Sequence, residues 1–570
     1  MKGDFTRLTF RPERRYSSVR LQQGRVLLDA DWNEEHDILA HRIETETVDV
    51  VGPSGAPLHA PGFHLVASVA ELTPDEKALP GNANPPPGAA LLVSAGRYYV
   101  DGVLAENERI VAIDAQPDLP PAGTAALVTL TDGEQVAFPP PAGTYFAYLD
   151  VWQRHLTALD DPLLRETALG PGGPDTATRT RTIAQVRLLA VPAGSGCDSR
   201  PEAWTRLLAP QRGTLEAKTV ELPPPANPCS VSPAGGYRGP ENQLYRVEIH
   251  DLDGAGKPRF KWSRDNGAIV TRWLGMGSAS DRLRVASIGR DETERIAQDD
   301  WIELLDDERE LAGRPGVMVQ VAHAAGDEVT IKPATAIPAG PVAFADFKTN
   351  PKARRWGPAG LTAVTTGAWI DLESGVQVRF GAGELRTGDY WTIPARSATG
   401  KVEWPFSAPQ PPFGIRHHHA LLGVVEVNAS GAVQASDCRR IFPPLTELPE
   451  AGGLETHNRL LHGWGVVCGL QVRCDGDRSF VRVEKGYAIA CEGTDVFVNA
   501  PQRVPIVERA VNQQLLDGNG NGEAAVRLTP AAGGSFALDV VAKPVRERDF
   551  LRRVLDGTLL DDVLDDCVKP

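Results

Sequence analysis

Glycine and proline punctuate this chain from end to end. There are 56 Gly and 47 Pro among 570 residues, spread along the length rather than clustered. Glycine gives up helix stability and proline removes a backbone donor, so the pattern favours many short strands joined by turns. One segment reads differently. Residues 1–20 look extended and Arg-rich, and from Gln22 to Val51 the pattern is helical, stopping at Gly52-Pro53. Val26, Leu27, Trp32, Leu39 and Ile43 give that helix an apolar face, which needs a body or a neighbouring subunit to cover it. Asp29, Asp31, Glu34, Glu35 and Asp37 crowd its first half, where the helix dipole favours them.

Beyond the helix the rhythm is strand and turn. In TYFAYLDVWQRHLTAL, Tyr145, Ala147, Leu149 and Val151 alternate onto one side. In RTRTIAQVRLLAV, Thr180, Thr182, Ala184 and Val186 share a face. Turns are expected at Asp101-Gly102, around Asp253-Gly254-Ala255-Gly256, and at Asn266-Gly267, a type I′ signature. A chain this long exceeds one core. The expected fold is mainly β: several small sandwich- or barrel-like modules, an N-terminal arm and helix, and a short helical C-terminus. The segments are 1–53 (arm and docking helix), 54–192 (first β-domain) and 193–240 (a Pro/Gly-rich linker or insertion). Then come 241–345 and 346–450 (second and third β-domains), 451–508 (a module echoing part of the first) and 509–570 (turn-rich, then helical).

Charge and cysteine usage narrow the function classes. A formal net charge of -15 and a pI near 5.4 argue against nucleic acid as the main partner. No apolar run approaches a membrane span of about eighteen residues. Seven cysteines, an odd number, without a leader sequence or a C-x-x-C pair, point to reduced cytosolic thiols and away from structural zinc.

The opening MKGDFTR, followed by LQQGRVLLDADWNEEHDI, resembles an uncharacterised family encoded near phage-tail-like contractile injection systems. Further matching stretches are AGRYYVDGVLAENE, YLDVWQRHLTALDDPLLRETALG, TATRTRTIAQVRLL, LYRVEIHD, FKWSRDNGAIV, VQVRFGAGELRTGDYWTIPAR and HNRLLHGWGVVCGL. The resemblance implies a genomic and structural context: a structural or adaptor component (baseplate, fibre or accessory part) that is not an enzyme. Its partners would be tail or baseplate proteins, and it would form a homo-oligomer. It would be cytoplasmic during assembly and leave the cell only as part of a released particle. A receptor- or glycan-binding fibre-like protein is the alternative, with carbohydrate as ligand, and a hydrolase on a β-scaffold ranks last.

Candidate sites are sparse. Walker, Rossmann and H-E-x-x-H motifs are absent, as is G-x-S-x-G, so no cofactor and no catalytic residue is nominated. His417, His418 and His419 are consecutive. In a strand at most His417 and His419 share a face, and His457 or His462 would have to complete a metal site, so none is nominated. DGNGNGE at 517–523 matches half a calcium loop but lacks the closing Glu, and reads as a turn. Cys468 reads as core rather than as a nucleophile served by His462. Interaction residues remain. Arg7, Arg11, Arg14, Arg15, Arg20 and Arg25 form a basic patch suited to an acidic protein surface. Trp32 lies on the helix, and Trp262, Arg264, Asp265 and Trp391 sit beside turns, where Arg264 and Asp265 are expected to pair.

Overall fold

The computed structural model describes residues 1–447, excluding 120–125, 132, 171–172, 210–212, 222–234 and 406–407, together with 465–474, 480–489, 495–505, 524–531 and 535–542. The chain is mainly β and built from small sheets, as its turns indicate. It divides into two compact units, Met1–Phe442 and Pro443–Pro570.

The three largest apolar cores of the first unit, among the described residues, are nested along the sequence. The innermost is a closed six-stranded barrel, from Val270–Met276 to Lys352–Trp356, filled by Trp273, Ile302, Val319 and Val329. Closure leaves no open edge. Around it in sequence lies a sandwich. The hairpin Gln243–Leu252 and Pro258–Ser263 joins Tyr390–Arg396 in a five-stranded sheet, which faces a three-stranded sheet containing Leu215–Thr219 and Val376–Phe380. Outermost in sequence, Gly143–Leu156 pairs with Arg179–Val191 on one side and His417–Val427 on the other. That sheet faces a four-stranded one in which Ser54–Pro57 is flanked by Gly96–Val100 and Ile441–Phe442. The boundaries drawn at 240 and 345 therefore cut across cores that take strands from both sides of an insertion, whereas the one at 450 lies close to the division at Phe442.

Several local expectations hold. Tyr145, Ala147, Leu149 and Val151 enter the outer core, with Val186 and Ala184 from the neighbouring strand. The turn at Asp101 (φ 47°) and Gly102 (φ 85°) closes a two-residue hairpin between Gly96–Val100 and Val103–Asn107. The linker reading of 193–240 needs correction. It contains a helix, Glu202–Leu208, whose buried Trp204 meets Phe146 and Tyr148 edge-on, and the sandwich strand Leu215–Thr219. The reduced-thiol reading also fails for one pair. Cys197 and Cys438 form a disulfide across 241 residues, a separation that no local spacing rule could reveal.

Helix α1 spans Asp29–Val51, shorter than expected at its start. Gln22 and Arg25 close a turn through Gly24, whose φ of 71° is left-handed and ends any helix there. Its C-terminus falls at Gly52-Pro53 as read. A Cβ on Gly102 would lie 2.3 Å from the Glu44 carbonyl of α1, so that glycine lets the helix approach the outer module. Gly102→Val is expected to cost about 1–3 kcal/mol in backbone strain alone and to loosen α1. Thermal unfolding and protease nicking ahead of residue 52 would register both effects.

In the second unit, Gly465–Gly469 pairs with Gly486–Ile489, which pairs in turn with Asp495–Val498. The turn at Gly493, on which the echo of the first domain depends, lies outside the described residues. The calcium-like stretch at 517–523, the C-terminal helical pattern, His457 and His462 lie outside the described residues, and Cys468 falls in the first of these strands.

Candidate functional site

The N-terminal arm is bound to its own body at its tip and to α1 further along. The Asn266 side-chain amide donates to the Gly3 carbonyl at 2.9 Å, and Lys2 pairs with buried Glu248 at 3.1 Å. Phe5 packs edge-on against His155, Arg7 pairs with Glu403 at 3.3 Å, and the Arg11 guanidinium lies over Phe413. The arm then follows α1. The Thr6 amide and hydroxyl donate to Asp29, the Thr9 hydroxyl to Glu34 and the Val19 amide to Glu35. The acidic crowd at the helix start therefore receives the arm. The six-arginine patch divides accordingly: Arg7 and Arg11 are half-buried in contacts within the chain, whereas Arg14, Arg15, Arg20 and Arg25 are exposed.

The helix presents a single apolar line to solvent. Trp32, Leu39, Ile43 and Val50 are spaced seven, four and seven residues apart, which stacks them along one edge of an α-helix. They are 66%, 45%, 61% and 63% exposed. Ala30 and Ile38, on the opposite side, are the residues buried against the body. Val26 and Leu27, expected to extend the helical face, lie in the extended segment before it and are exposed.

The aromatic residues nominated beside turns serve the core instead. Trp262 and Trp391 are buried in the sandwich with Tyr245 and Phe380, so neither offers a surface. Arg264 and Asp265 do not pair with each other. Arg264 reaches Glu373 at 2.7 Å and Asp265 binds Arg355 at 2.8 Å, each held by a residue distant in sequence.

The three histidines separate as alternation requires. His418 pairs with Asp101 at 3.0 Å, and His417 and His419 leave the other face. There they meet Asp150 of the adjacent strand, directly opposite His419 in register. The carboxylate Oδ1 lies 2.7 Å from His417 Nδ1 and 3.5 Å from His419 Nε2. Burial would raise the Asp150 carboxyl, but His417, His419 and Arg187 hold it below the usual value. Burial pushes the His419 imidazole down to about 4, leaving a neutral ring at pH 7. Sequence reading missed Asp150. Its signal was a lone carboxylate in the otherwise apolar and aromatic run from Tyr145 to Trp152.

Residues 1–199 and 207–455 match one protein family, covering the arm, α1 and most of the nested unit. The chain belongs to DUF6519, a family of unknown function. No curated protein and no solved structure matches it.

This DUF6519 chain also carries two buried ionic clusters where its modules meet. In one, Lys261 of the sandwich pairs with barrel residue Glu303 at 2.6 Å and with Glu248 at 3.3 Å. Glu303 also accepts from Trp356 Nε1 at 2.9 Å and from the Gly316 amide at 3.1 Å. In the other, Lys352 of the barrel and Arg154 of the outer sheet share Asp160, Asp307 and Glu310. A cleft of about 730 Å³ lies beside α1, lined by Ile43, Glu44, Tyr99, Glu106, Asp118 and Arg181 among others. Burial raises the Asp118 carboxyl against the opposing pull of Arg181, 3.0 Å away.

Proposed function

We propose that this protein is a non-enzymatic structural or adaptor subunit of a phage-tail-like contractile injection particle, acting through protein–protein assembly. The observation that carries the assembly reading is the exposed apolar line on α1, on the side of the helix away from buried Ala30 and Ile38, with Ile43 at the edge where the cleft begins. The sequence resemblance supplies the particle context.

The first occupant of that line is a second copy of the same helix, running antiparallel. Rotated end for end about the level of His41, the line maps onto itself. Trp32 then meets Val50, Leu39 meets Ile43, and the polar interruptions His36 and Glu46 meet each other. A parallel pair would instead set Glu46 against Glu46, a like-charge contact that destabilises helix pairing. The exposed Arg14, Arg15, Arg20 and Arg25 remain for an acidic surface on a tail or baseplate protein.

Cross-linking tests the pairing. Leu39→Cys and Ile43→Cys proteins are expected to form an oxidised dimer when mixed and not when kept separate, with the wild type as background. Cross-linking of each alone would mean a parallel pair, and none above background would end the self-pairing reading. Ile43→Asp should also shift sedimentation to the monomer. Particles purified from the native locus and analysed by mass spectrometry test the context. The wild-type chain should co-purify, and a variant with Arg14, Arg15, Arg20 and Arg25 changed to Glu should not. Absence of the wild type from particles would refute the particle reading and send the free protein to glycan and hydrolase screens.

A further inference from the structure

We propose that Asp150, His417 and His419 form a binding site for a late first-row divalent cation of the zinc or cobalt kind, joining two strands of the outer sheet. The inference is independent of the assembly reading.

The argument begins with placement. His417 and His419 are two residues apart on one strand, and Asp150 lies on its hydrogen-bonded neighbour, so the three side chains leave the same face of the sheet. Their nearest ligand atoms all lie within 4.8 Å of one another, with two pairs at 2.7 and 3.5 Å. Tetrahedral ligands at about 2.1 Å from zinc stand about 3.4 Å apart, so small side-chain adjustments admit an ion among these atoms.

The site is also built. The rings of His417 and His419 are nearly parallel, at 13°, with centroids 6.2 Å apart. Trp152 packs on His417 at 4.8 Å and Tyr148 meets His419 edge-on at 5.7 Å. These contacts sit on the central strands of a six-stranded sheet, and a rigid scaffold that pre-orients its ligands lowers the cost of binding. Arg187 is the opposing charge beside Asp150, and Arg386 acts on His419. Arg187 lies 3.9 Å from Asp150 Oδ2, the other carboxylate oxygen, while its Nε and Nη2 donate to Gln185. Oδ1 remains directed at the histidines.

Two imidazole nitrogens and one carboxylate oxygen suit zinc or cobalt better than calcium or magnesium, which prefer all-oxygen shells. When the ion is bound through His417 Nδ1, it takes the place of the ring proton shared with Asp150 Oδ1, and the neutral imidazole carries that proton on Nε2 instead. His417 is at the surface, so the ion has a way in and keeps a position for water. The acidic group Asp160, Asp307 and Glu310 differs, because Lys352 and Arg154 already neutralise it. Asp150 and His417 are 267 residues apart, so an ion here would pin the late strand His417–Val427 to the early strand Gly143–Leu156.

The test uses the full chain, stripped with a chelator and titrated with cobalt(II), with the visible absorption band read and zinc(II) as competitor. One cobalt per chain is expected, with a tetrahedral-type band and a concentration-dependent rise in melting temperature. His417→Gln and His419→Gln should each weaken binding by at least about a hundred-fold. His418→Gln, on the opposite face, should leave it unchanged. Asp150→Asn should behave like the histidine variants, and surface-located His417→Gln keeps the test valid if the buried Asp150→Asn fails to fold. Absence of saturable binding would overturn the proposal. So would binding that survives both His417→Gln and His419→Gln, or binding lost with His418→Gln.

Discussion

Glu303→Ala is expected to destabilise the first unit by about 3–5 kcal/mol, the usual cost of removing one partner from a buried ion pair. Glu303 is 3% exposed and accepts hydrogen bonds from Lys261, Trp356 and the Gly316 amide. Its loss strands the Lys261 ammonium, which is 2% exposed and whose remaining carboxylate, Glu248, also serves Lys2 and Arg246. Burial alone would raise the Glu303 carboxyl, but Lys261, Lys2 and His250 override it and bring the value to about 2. A carboxyl lowered on folding stabilises the native state above its unfolded value, near 4.3, and that contribution is lost as pH falls through about 2. Urea unfolding at pH 7 should therefore separate wild type from Glu303→Ala clearly, and the difference should narrow below pH 4. A midpoint unchanged at pH 7 would show that the network does not hold sandwich and barrel together.

Lys352→Met should produce a loss of similar size with a different pH signature. Methionine keeps most of the length of Lys352 but loses the charge that Asp160, Asp307 and Glu310 share, leaving Arg154 as the cation paired with all three. Burial opposes the charged Lys352, yet Glu310, Asp160 and Asp307 raise its pKa. Its contribution is therefore fully present below the unfolded lysine value and is lost only as pH rises through the higher folded one. In the variant the crowded carboxylates take up protons more readily, so the deficit should be largest at pH 7 and shrink toward pH 4.5. A deficit that is flat over this range would mean that packing, not charge, accounts for it.

Much of the local structure was legible. The alternation through Tyr145, Ala147, Leu149 and Val151 sets these four on one face, and the intervening Phe146 and Tyr148 pack under Trp204 on the other. Asp101-Gly102 and Asp253 to Gly256 bend as turn chemistry requires. Pairings across long separations were not legible. Nothing in RHHHALLGVVEV states that it lies beside YLDVWQ, so neither the nesting nor the Asp150 cluster could be drawn from spacing. Trp262 and Trp391 misled for a related reason: a tryptophan next to a charged turn looks exposed until the second sheet that covers it is placed. The outward line on α1 was half visible. Trp32, Leu39 and Ile43 were read correctly as a face, but only the position of the body shows that this face points away from it.

The nesting sets an order of completion during synthesis. A chain made from its N-terminus finishes its modules in the reverse of the order in which it starts them. The barrel has all its strands once Trp356 has emerged, the sandwich only with the strand Tyr390–Arg396, and the outer sheets only with His417–Val427 and Ile441–Phe442. Until then Gly143–Leu156, the most extensively paired strand of the outer sheet, has one long edge without its partner. Open strand edges recruit other chains. A nascent chain that has emerged to between residues 360 and 389 would display a finished barrel beside an unfinished sandwich and an unfinished outer sheet, and it would depend on a chaperone there more than at any later point.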